Sequence, residues 1–151
     1  MEKTDKISLD ILHKEIDLIQ DIIKRMSHNS FLVKGWMITI FTTVIILLSG
    51  KSIQDESIIL SASIIFVVIS FWYLDAFFIH KEKCYRKLYE YIITNQQAPN
   101  RILYSLDYRP FENTQKSHFR LMFNQTIWPF YIVPLAIGLY QIYEIYCINK
   151  M

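Results

Sequence analysis

The sequence predicts an all-α integral membrane protein with three transmembrane helices and a cytosolic helical bundle or coiled-coil layer. Three observations carry that prediction. Apolar residues make up 52% of the chain but gather in blocks free of charge, while the charged 20% collects between those blocks. Residues 81–93 continue a helical pattern beyond the second block with neither glycine nor proline to interrupt it. Lysine and arginine fall almost entirely on one side of the implied membrane, as the positive-inside rule requires.

Residues 1–30 read as a cytosolic amphipathic helix. Leu12, Ile16, Ile19, Ile23 and Met26 recur at spacings of three and four, which puts them on one face. The polar face carries both signs of charge, whereas a helix lying on a membrane surface is usually net basic there. Packing against protein is therefore expected.

Residues 31–50 form the first expected span. Its uncharged run, 35–50, is 16 residues long, short of the roughly 20 that hydrocarbon requires. Lys34 extends it if the ammonium snorkels to the interface, with Trp36 as an aromatic anchor beside it. Gly50 and the polar segment 51–56 make a turn. The second span, 57–79, has Trp72 at its far interface, and 57–94 reads as one long helix or two nearly collinear ones. Within 80–120, Pro99 and its neighbours break that helix; a short helix at 101–106 and a turn near Arg109 and Pro110 follow. The third span is expected within 121–145, with Trp128 at one end, Pro129 suited to a helix start and Pro134 inside as a kink.

Orientation follows from the short loops. One basic residue, Lys51, separates the first two spans, and eight separate the second from the third. The N-terminal arm through Lys34 holds six, and the tail only Lys150. The expected site is the bacterial inner membrane, N-terminus in the cytoplasm and C-terminus outside.

Enzyme chemistry is not expected. His13, His28, His80 and His118 are scattered, Cys84 and Cys147 form no CxxC, and three glycines leave no room for a glycine-rich phosphate cradle. No metal or cofactor is expected. A net charge of +2 gives no basic field for duplex nucleic acid.

Two features are candidates for ligand binding or gating. Asp75 is a carboxylate flanked by apolar residues at the edge of a span, which reads either as a gating carboxylate or as a structural partner for Lys34 at similar depth. Lys81, Lys83, Arg86 and Lys87 read either as positive-inside anchoring or as a site for an anionic headgroup or nucleotide, since 83, 86 and 87 share a helix face. Small residues on the spans, Ser49, Ser57, Ser61, Ala62, Ser63 and Ser70 among them, suit close helix approach or ordinary membrane composition.

Two stretches carry a resemblance. Arg25-Met26, Asn29-Ser30-Phe31 and Lys34-Gly35-Trp36 lie where the first span begins. Trp72-Tyr73-Leu74-Asp75, Glu82 and Tyr85-Arg86-Lys87-Leu88-Tyr89 lie where the second ends. Together they resemble small multi-pass transmembrane effectors associated with bacterial anti-phage defence. The resemblance implies an effector that disrupts the envelope on a signal, and it brings no ligand residue with it. The expected function is accordingly an oligomeric inner-membrane effector or channel gated by a cytosolic protein or nucleotide ligand. The alternative is a membrane-anchored scaffold that recruits a cytosolic protein through residues 1–30. A small transporter fits less well, because no inverted repeat is visible. Exposed apolar surface predicts a homo-oligomer.

Overall fold

A computed structural model describes the backbone of residues 2–49, 56–96 and 102–148, and side chains within 9–47, 62–96 and 102–147. Helix α1 runs over Glu2–Ser49 and α2 over Glu56–Thr94. A 3₁₀ helix follows at Arg109–Thr114, then the short α3 at His118–Met122 and α4 at Trp128–Ile148. No strand occurs among the described residues.

Three of these helices are long and apolar enough to cross a membrane. At 1.5 Å per residue, the 21 residues of α4 give about 31 Å, close to the hydrocarbon thickness of about 30 Å. The 48 residues of α1 and 39 of α2 give about 72 and 58 Å, so both must continue well beyond it. No break separates 1–30 from 31–50. One helix carries both the amphipathic stripe and the first apolar block, because no glycine or proline intervenes before Gly35, a residue a helix tolerates.

Pairing of α1 with α2 is antiparallel: Gln20 meets Tyr89, Lys34 meets Asp75, and Phe41 and Val44 line a groove with Ile64 and Val68. Two apolar clusters form along this pair. Ile19 packs with Leu88 and Ile92 at the polar ends, joined by Leu12, Ile23 and Phe111. Fully burying such a side chain from water stabilises by about 1.5–3 kcal/mol. The second cluster joins Met37 to Ile64, Val68, Trp72 and Ala76 of α2 and to Leu121, Ile127 and Tyr131. Inside a bilayer the packing of that second cluster replaces lipid contacts with protein contacts, so fit matters more than area. Gly138 serves this fit: a Cβ there would lie 3.2 Å from Ile65 Cγ1 and 3.5 Å from Ile64 Cγ2.

The continuation of α2 beyond the apolar block has local causes. Glu82 pairs with Arg86 and Lys87 with Glu90 at helical spacing. It ends where Asn95 turns back, its backbone N–H and side-chain amide both donating to the Tyr91 carbonyl.

The structure corrects two expectations. The expected third span, 121–145, whose uncharged run ends at Tyr143, is not one helix. Residues 123–127 turn between α3 and α4, held by the Asn124 carbonyl, which accepts from the N–H groups of Ile127 and Trp128 at 2.8 and 3.2 Å. Pro129 then opens α4, where a missing N–H is harmless, and the helix runs on through Pro134. Residues 102–106 hold no helix; the 3₁₀ turn at Arg109–Thr114, started by Pro110, takes that role. Lys51, Pro99 and Lys150, with the side chains of Ser49, Ser57 and Ser61, lie outside the described residues.

Candidate functional site: a buried ion pair joining three helices

Asp75 lies midway along α2, fully buried, with Ala76 of the larger apolar cluster next to it. A lone carboxylate there would be prohibitively costly, and three side chains from two other helices satisfy it. Lys34 of α1 reaches both oxygens, with Nζ 2.8 Å from Oδ1 and 2.7 Å from Oδ2. Ser30, one turn before Lys34, donates its hydroxyl to Oδ1 at 2.5 Å and accepts from Lys34 Nζ at 2.9 Å. Tyr131 of α4, itself fully buried, donates to Oδ2 at 3.2 Å.

The spacing explains the arrangement. Ser30 and Lys34 are four apart and share the α1 face that also carries Val33 and Met37. Tyr131 stands one turn into α4, so its ring crosses the apolar cluster and brings its hydroxyl to the carboxylate. The Lys34 side chain is 15% exposed and Asp75 not at all, so only the cation keeps an opening outward. Phe130 lies under the ammonium, with the ring centroid 5.9 Å away. Chemically this is a latch: a buried ion pair with hydroxyl donors on both carboxylate oxygens, tying α1, α2 and α4 at one level.

Trp72 sits one turn away and differs from expectation. Instead of an interface anchor it is an interior residue, 6% exposed. Its indole N–H donates to the Met122 carbonyl at 2.9 Å, and its ring stacks on Tyr131 at 5.8 Å with a 5° interplanar angle. The helix twist decides this, because Trp72 follows Ile64 and Val68 at steps of four and so faces α3 and α4. Trp36 and Trp128 are exposed.

The basic residues beyond Asp75 are not one cluster. Arg86 and Lys87 are exposed and paired with Glu82 and Glu90 at 2.8 and 2.7 Å on their own helix. Lys83 is half-buried and joins neither pair. Lys81 turns away from them to the 3₁₀ helix, donating to Tyr108 Oη at 2.8 Å and Glu112 Oε1 at 2.9 Å, with its ammonium 4.2 Å from the Tyr108 ring centroid. That hydrogen bond from Lys81 holds the Glu112 carboxyl below its usual range.

Sequence reasoning missed several partners. Ser30 and Tyr131 have no signal beyond being hydroxyls at the right depth. His80 and His118 are 38 positions apart, yet their rings meet at 4.2 Å, and Cys84 Sγ lies 3.8 Å from His80 Nδ1. No group of three metal-ligating side chains suited to a metal ion occurs among the described residues. Glu15 is a further buried carboxylate, accepting the N–H of Tyr104, whose φ of 58° is left-handed. No family model matches this chain, and no curated protein or solved structure matches it either.

Proposed function

We propose that this chain is a bacterial inner-membrane effector in which α1 and α2 carry a cytosolic signal into the bilayer, and the latch at Asp75 holds the resting state. One observation carries the reading: both helices are continuous from their polar ends through the latch into the apolar blocks. A displacement of the paired polar ends therefore has no hinge in which to dissipate before it reaches Asp75. A buried ion pair suits a two-state element, because it is stable when complete and very unfavourable when half-made.

In the active state the latch opens, α4 leaves Tyr131's position beside Asp75, and copies assemble so that the spans permeabilise the membrane. The resemblance to anti-phage effectors supports that outcome. Asp75 has the gating role in this account. Arg86 and Lys87, already paired on their own helix, serve as anchors at the cytosolic face. The scaffold alternative needs the apolar stripe of residues 1–30 as a docking face, and Ile19 of that stripe is already covered by Leu88 and Ile92.

The test is expression of wild type and Asp75→Asn in bacteria loaded with a membrane-potential dye. The asparagine leaves Lys34 without its counter-charge and should depolarise cells without any stimulus. Equal polarisation at equal membrane abundance would remove Asp75 from gating.

A further inference from the structure

The surface around α3 is assigned by nothing in the latch. Phe119 and Phe123 are each 71% exposed, although Leu121 and Met122 between them are buried. Positions four apart share a helix face, so the two phenylalanines point the same way. Their rings also touch the second apolar block: Phe119 lies 6.2 Å from Tyr73, and Phe123 lies 5.4 Å from the Trp72 ring. Trp128, at the start of α4, is exposed beside them in sequence. Lys116 and Arg120 flank this aromatic face, both exposed and with no ion pair among the described residues.

Five residues are too few to hold a helix unaided. Contacts with α2 pin α3 in place, among them the Trp72 indole on the Met122 carbonyl and the His118 ring against His80 and Phe77. The helix is thus fixed with its apolar aromatic face turned away from the protein, at the level where α4 begins.

We infer that α3 is an interfacial helix seated in the bilayer leaflet beside it, with Phe119 and Phe123 among the acyl-chain ends and Lys116 and Arg120 on anionic phospholipid headgroups. The inference rests on the reading of α2 and α4 as membrane spans. Two features of the surface select lipid as the occupant. Phe119 meets the exposed Tyr73 ring of α2, so a bilayer covering α2 reaches this aromatic face without a gap. Its free charges are both positive, which complements an anionic headgroup layer.

The experiment places a nitroxide label at Phe119→Cys, Phe123→Cys and, as a span reference, Leu139→Cys, each in a Cys147→Ser chain; Cys84 is buried. The protein is reconstituted in vesicles of phosphatidylglycerol and phosphatidylcholine. Labels at 119 and 123 should collide more with oxygen than with a water-soluble nickel chelate, at a shallower depth than the label at 139. Nickel access exceeding oxygen access at 119 and 123, with 139 still protected, would overturn the inference and leave the membrane reading standing. A label at 139 open to nickel would overturn both. For the headgroup, native mass spectrometry of wild type should show retained phosphatidylglycerol in excess of phosphatidylcholine. Lys116→Gln with Arg120→Gln should lower that preference by roughly fivefold per charge removed. An unchanged ratio in the double variant would overturn the headgroup assignment.

Discussion

Two lysine–carboxylate pairs sit six residues apart on α2, through Asp75 and Lys81, and behave differently. Lys34–Asp75 and Lys81–Glu112 have similar lengths, 2.7 and 2.9 Å. Asp75 has no exposure and takes two further hydroxyl donors, whereas Glu112 is 39% exposed and its carboxylate receives Lys81 alone among the hydrogen bonds described. Distance therefore says little about consequence; the surroundings of the carboxylate decide it. Breaking the dry pair strands a charge among apolar side chains, while breaking the wet one returns both ions to water.

The largest expected effect comes from taking away one half of the dry pair. Lys34→Met or Asp75→Ala should cost about 3–5 kcal/mol in reversible unfolding from detergent micelles. Lys34→Met combined with Asp75→Leu removes both charges and should recover most of that loss. A double variant as unstable as the sum of the singles would mean that the pair is not coupled.

Next in size is Trp72→Phe, which leaves the Met122 carbonyl without its donor and should cost about 1–3 kcal/mol in the same assay. The comparison sharpens here, because this bond is neutral and buried at the same level as the latch.

Substitutions at two glycines separate packing from helix preference. Gly35→Ala meets open space and should be neutral or stabilise by up to about 1 kcal/mol. Gly138→Ala pushes on Ile65 and should lose that gain, and Gly138→Leu should destabilise by about 1–3 kcal/mol. Thermal melts of the three variants in one detergent check the ordering.

The smallest effect belongs to the wet pair. Glu112→Gln should change stability least of these variants, and less still in high salt. Its pH dependence has a definite sign. The carboxyl is held low in the fold, so its contribution is complete above its ordinary value near 4.5 and fades as pH falls through the depressed folded value. Wild type and Glu112→Gln should therefore converge in stability on acidification below that value.

Much of the architecture is legible in the sequence. Charge-free blocks located the three apolar helices, and the absence of breakers in 81–93 foretold that α2 would run to Thr94. The pairing of Lys34 with Asp75 is one of the two readings that equal depth on antiparallel neighbours allows, beside a gating carboxylate. What escaped notice depends on the third dimension. Ser30 reads as an ordinary polar residue until its i,i+4 relation to Lys34 meets a carboxylate from another helix. Tyr131 was one aromatic among many at the expected membrane boundary. The turn at 123–127 is set by backbone hydrogen bonds to Leu121 and Asn124, in a stretch whose hydropathy hides them. The contact between His80 and His118 depends on where the 3₁₀ helix returns the chain, and residue spacing carries no trace of it.

The central claim is that the latch holds α1, α2 and α4 in a closed arrangement. Ion leakage from vesicles reconstituted with wild type, Asp75→Asn, and the apolar double variant Lys34→Met with Asp75→Leu tests it most directly. Tight vesicles are expected for wild type, leaky ones for Asp75→Asn, and tight ones again for the double variant, whose helices are held by an uncharged contact. Equal leakage from all three, at equal protein incorporation, would contradict it.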